Sequence, residues 1–112
     1  MSDAIERLRQ LCGGPRDGAL LRFSLGTALL GAGAAAEAVI ELRRAVGFNP
    51  DYSAAWKLLG RALVETGDLA QARQAWSDGI AAAQRAGDVQ AQKEMRVFLN
   101  RLDKSGGNAR TD

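Results

Sequence analysis

The strongest constraint on this chain is an internal repeat. Sliding the sequence against itself by 34 residues aligns residues 19–52 with residues 53–86. Seven of those 34 positions are identical, against about three or four expected by chance for so much Ala, Leu and Gly. The matches fall on Leu25/Leu59, Gly26/Gly60, Ala28/Ala62, Leu29/Leu63, Gly33/Gly67, Ala36/Ala70 and Ala38/Ala72. These are the small and apolar positions that two closely packed helices require. A period of this length makes each unit one supersecondary element that buries its apolar face only by stacking on a neighbour.

Each unit reads as two helices. In the second, Trp56, Leu59, Leu63 and Thr66 share one helical face. Gly67-Asp68 interrupts it, and Asp68 with Gln71 supplies a start signal of the capping-box kind. Leu69, Ala72, Trp76, Gly79, Ile80 and Ala83 form the second stripe. Asn49-Pro50-Asp51 divides the units, because proline does not continue a helix but is tolerated at a new start.

The same phase runs backward through Ala4, Leu8 and Cys12, so residues 3–14 read as the second helix of a half unit. Asp3 and Glu6 suit its start, and Gly13-Gly14-Pro15 ends it. Forward, the phase decays, since the Leu-Gly pair would fall on Lys93-Glu94. Asp88 still caps a plausible last helix with Ala91, Met95, Phe98 and Leu102 on one face, broadened by Val89, Val97 and Leu99. The spacing therefore predicts one domain over residues 1–103. It comprises the half repeat, repeats at 19–52 and 53–86, and a capping helix over 87–103 with a polar outer side. Residues 104–112 contain no core residue and are expected to be disordered.

These residues resemble the tetratricopeptide repeat family. The resemblance rests on Trp56, Leu59-Gly60, Gly67-Asp68, Ala72 and Trp76, and in the first unit on Leu25-Gly26, Gly33, Ala38 and Pro50. The first unit departs by carrying Arg22 and Leu42 where the family has aromatics. The second carries Gln84 where proline is usual, so its second helix is expected to continue to about Ala86. The resemblance implies an all-α fold, a right-handed superhelical stack of antiparallel helix hairpins. It also implies a non-catalytic module that binds a peptide or partner helix on its concave groove. Gly in a helix interior costs about 1 kcal/mol relative to Ala. Gly26 and Gly60 therefore imply close helix approach, with Ala38 and Ala72 expected opposite them.

Composition excludes much chemistry. The chain has no histidine and one cysteine, which removes His-dependent dyads, most metal sites and any internal disulfide. Aromatics are 5% against 21 alanines and 13 glycines, which suits close-packed helices better than sheets. Cys12 aligns with Val46 and Ile80 and is expected as a small core residue. Glu37 and Glu41 are expected on a solvated outer face beside Arg43 and Arg44. Gly31-Ala32-Gly33 is a turn, because no Lys-Ser/Thr follows and no strand precedes it. No catalytic residue, metal ligand or cofactor is expected. A net charge of +2 is too small to indicate nucleic acid. No apolar run is long enough to span a membrane, and the start does not resemble a signal peptide. A cytoplasmic location follows as an expectation.

The candidate site is a surface. On the first helix of each unit, the face not used for packing carries Lys57, Arg61 and Val64 in unit two. In unit one it carries Phe23, Thr27 and Leu30. Together they predict a groove with an apolar and a basic half. Lys57 and Arg61 either bind a partner or are merely solvated; Phe23 either contacts a partner or packs on the N-terminal helix. Two other readings stay open: a module that assembles with itself through leftover apolar residues such as Val97 and Leu99, or an RNA-binding helical repeat.

Overall fold

The computed structural model describes residues 3–108. Six helices follow one another: α1 (Asp3–Leu11), α2 (Ala19–Gly31), α3 (Ala35–Phe48), α4 (Ser53–Glu65), α5 (Leu69–Ala86) and α6 (Val89–Asn108). Among the described residues there is no strand. Consecutive helices pack as antiparallel hairpins, and α4 also touches α2 and α6. Two layers result, α2-α4-α6 and α1-α3-α5, in a slab of 51 × 31 × 18 Å. The second layer is joined by a contact that recurs with the sequence period. Arg9 of α1 donates to Glu37 of α3 at 2.7 Å, and Arg43 of α3 donates to Gln71 of α5.

The turns follow from backbone chemistry. Gly33 and Gly67 adopt φ +82° and +84°, the left-handed region that a Cβ disfavours. The residue after each donates back five positions, Ala34 to Leu29 and Asp68 to Leu63, both at 2.9 Å. These bonds satisfy carbonyls that the helix end leaves open. Asp68 accepts from the Gln71 N–H at 3.1 Å. The Gln71 amide returns to the Asp68 carboxylate, at 2.6 Å, rather than to its backbone. Asp88 caps α6 by accepting from Ala91 N–H at 3.1 Å, and its other oxygen accepts from the Ser53 hydroxyl at 2.7 Å. α5 ends at Ala86, the extension expected from Gln84.

The core is one cluster through all six helices, centred on Ile5, Leu25, Leu29, Leu42, Leu59 and Met95. Gly26 and Gly60 are close-approach points, but not to the expected alanines. A Cβ on Gly26 would lie 2.6 Å from Leu42 Cγ, and one on Gly60 would enter the Trp76 indole. Ala38 and Ala72 are fully buried one turn earlier; the larger residue fills the space each glycine leaves. Gly79 is a third such point, where a Cβ would lie 2.5 Å from Met95 Sδ and 2.7 Å from Trp56 Cβ.

Four other expectations are corrected. Helix α6 continues to Asn108, so residues 104–108 are helical, and the rest of the expected tail lies outside the described residues. Val89 and Val97 are exposed rather than part of the buried face of α6, while Ala91, Met95 and Leu102 are buried as expected. Cys12 is only half-buried; it packs against the core, with its thiol 3.5 Å from the Leu8 carbonyl oxygen. Glu41 is buried, not solvated. It accepts from Arg22 at 2.7 Å and from Arg44 at 3.2 Å.

Candidate functional site

The layer α2-α4-α6 positions the candidate groove residues. Phe23 is half-buried and stacks on Tyr52, with centroids 5.0 Å apart and planes tilted by 38°. Tyr52 is the N-cap of α4, so this contact ties α2 to the start of α4; burial holds the Tyr52 hydroxyl above its usual pKa. Phe23 thus packs against the core and the residue that caps α4. Thr27 is exposed, but its hydroxyl donates to the Phe23 carbonyl at 2.8 Å. Arg61 is exposed and, among the described residues, carries no ion pair. Two expected contacts stand differently. Leu30 is 9% exposed and belongs to the core cluster. Lys57 is bound to Glu94 of α6 at 2.6 Å, so it links two helices instead of standing free. Val64, at the repeat position of Leu30, is 37% exposed.

Val64 opens onto a cleft of about 240 Å³ between α4, α5 and α6, lined also by Trp76, Phe98, Arg101, Leu102 and Ser105. Trp76 and Phe98 stack at 5.3 Å on its floor. The Trp76 indole N–H donates to the Lys57 carbonyl at 3.0 Å, which fixes the ring. Lys57 and the Gln90 amide hold the Glu94 carboxyl below its usual range. The Ala91 N–H and Ser53 hydroxyl do the same for Asp88.

A buried charge network lies outside this surface. Arg22 is 9% exposed. Its guanidinium donates to both oxygens of Asp17, at 2.8 and 2.7 Å, and to Glu41 at 2.7 Å. Asp17 also accepts from the Gly13 N–H at 2.8 Å. Arg22 first, and that N–H second, lower the Asp17 carboxyl to about 2. The network ties the α1–α2 loop to α2 and α3. The sequence contains a signal for it: at repeat-equivalent positions, the pair Arg22/Glu41 replaces Trp56/Ala75. Among the described residues, no three His, Cys, Asp or Glu side chains cluster as metal ligands. Among them, too, no helix is long and apolar enough to cross a membrane.

Comparison with known proteins adds four findings. Residues 29–93 match the family model described as tetratricopeptide repeat. A TPR repeat-containing protein of Pseudomonas aeruginosa is 52% identical over 101 residues, covering 90% of this chain and 96% of that protein. The solution structure of a Bordetella parapertussis protein superposes with a TM-score of 0.79 at 46% identity, covering 94% of this chain and 91% of that one. A tetratricopeptide repeat domain protein from Salinibacter ruber superposes with a TM-score of 0.73 at 21% identity, covering 80% and 90%; at that identity the likeness concerns the fold.

Proposed function

This chain belongs to the tetratricopeptide repeat family, and from that premise we propose that it is a non-catalytic protein-interaction module. Domains of this family generally mediate protein–protein contacts. The proposed docking surface is the outer face of the α2-α4-α6 layer. Phe23, Thr27, Arg61 and Val64 are its contact residues. Leu30 supports that surface from below, and Lys57 braces α4 against α6.

The observation that carries the reading is the mixed character of this one face. It combines an aromatic contact between α2 and the cap of α4, an apolar cleft at Val64 and a free guanidinium at Arg61. Apolar surface beside unpaired charge is what protein partners cover. Six of the fifteen cations, Arg9, Arg22, Arg44, Lys57, Arg73 and Arg85, are held in ion pairs and are not open to phosphate. A clustered phosphate footprint therefore gains little support.

The test is affinity capture with the wild-type chain against Phe23→Ala and Arg61→Glu. Both variants are expected to lose the same partner while keeping the wild-type far-UV spectrum. Lys57 is left unchanged, because altering it would also release α6. Equal capture by all three proteins would place the partner surface elsewhere.

A further inference from the structure

We infer that the cleft between α4, α5 and α6 is an anchor site for an acidic peptide segment that inserts one large apolar side chain. This rests on the interaction-module reading and names the chemistry of its partner.

The cleft exists because the third unit breaks the repeat. Helix α3 has 14 residues and α5 has 18. The four-residue link 49–52 before α4 is replaced by Gly87-Asp88 before α6. Helix α6 therefore meets α4 in a different register from that in which α4 meets α2. The consequence is visible at one repeat position, where Leu30 is closed into the core and Val64 is not. The Leu-Gly pair that would admit a further close helix is absent, and Glu94 is tied to Lys57.

The floor is apolar and rigid. Trp76 and Leu102 are almost fully buried, and Phe98 packs on the Trp76 ring. The volume suits one large side chain, not a helix. The rim is basic. Arg101 lines the cleft, and Arg61 lies three residues before Val64 on the same helical face. Among the described residues, neither arginine is paired with an acid, because Glu94 is held by Lys57 and Asp103 by Arg73. Exposed Glu65 opposes them and leaves a net positive balance. A hydrophobic anchor in a desolvated pocket supplies affinity, and charge-assisted bonds to flanking carboxylates supply orientation. Nucleic acid fits poorly, since Trp76 is covered and offers no open face for a base.

The probe is a blocked synthetic peptide with one phenylalanine between glutamates, titrated into the isotope-labelled full chain and followed by NMR. The Trp76 indole and Val64 and Leu102 methyl signals are expected to shift, and binding is expected to weaken as salt rises. A glutamine-for-glutamate peptide and an alanine-for-phenylalanine peptide should each bind about tenfold or more weakly. Arg101→Glu and Val64→Glu, both at exposed positions, should abolish binding of the first peptide while retaining the native spectrum. Equal binding of the glutamine peptide, or full binding by Arg101→Glu, overturns the inference. So does the absence of any shift. Shifts confined to Phe23 and Thr27 would also overturn it while leaving the broader docking surface standing. Loss of partner capture in Phe23→Ala, which does not line the cleft, tests that surface separately.

Discussion

Replacing Gly60 by alanine tests how the hairpins are held together. The substitution adds one methyl group on the helix face where the Trp76 indole lies against the α4 backbone. That ring cannot yield easily. Phe98 stacks on it, and its N–H is bound to the Lys57 carbonyl. Overpacking of this kind costs about 1–3 kcal/mol. Displacing the indole also loses a hydrogen bond worth about 1 kcal/mol. Alanine returns about 1 kcal/mol of helix propensity. The net expectation is a loss of about 2 kcal/mol, or roughly 10 °C in melting temperature for a domain of this size. Two parallel variants sharpen the reading. Gly26→Ala meets the branched end of Leu42, which can rotate, so its cost should be smaller. Gly47→Ala lies within α3 with nothing within 4 Å of its Cβ and should stabilise by about 0.5–1 kcal/mol. The assay is thermal unfolding followed by far-UV circular dichroism. A Gly60→Ala protein that melts with the wild type would refute the close-approach argument. So would a Gly47→Ala protein that loses as much.

Further outcomes follow from the polar contacts. Arg22→Ala leaves the buried Glu41 carboxylate with only its 3.2 Å bond to Arg44 and is expected to cost about 3 kcal/mol in denaturant titration, the low end for breaking a buried pair; adding Glu41→Ala should recover part of that loss. The Asp17 carboxyl is depressed to about 2 in the folded chain, against about 3.9 unfolded. Its contribution is therefore fully present above about pH 4 and is lost as pH falls toward 2. Melting temperature should drop across that window, and the drop should shrink in Asp17→Asn. Asp88→Ala removes the α6 cap and the Ser53 bond, at an expected cost of about 0.5–2 kcal/mol. Amide exchange should accelerate first at Ala91 and Gln92, while the first turn of α5, capped by Asp68, stays protected.

Much of the architecture is legible in the residues because it depends on local chemistry and spacing. The left-handed turns at Gly33 and Gly67, the caps at Asp68 and Asp88, and the end of α5 at Ala86 are decided within a few residues of each position. The repeat period also carries the buried faces, since helical spacing sets which side chains share a side. The candidate surface is less legible. Phe23, Thr27, Arg61 and Val64 lie on the helix layer that their spacing implies, but their exposure depends on what the neighbouring helix covers. Leu30 and Val64 share one repeat position and differ in burial because α6 does not sit on α4 as α4 sits on α2. Lys57 looked free because Glu94, 37 residues away, is not a local neighbour.

By itself, then, the sequence determined the helix-hairpin period, its turns and the absence of histidine chemistry, because each rests on near-neighbour geometry or on composition. Only the tertiary structure decided which charges are spent and which surface stays open. Arg22 is consumed by Asp17 and Glu41, whereas Arg61 and Arg101 stand beside an apolar cleft. Burial and pairing depend on which helices meet across the stack, and that register lies outside the reach of local spacing.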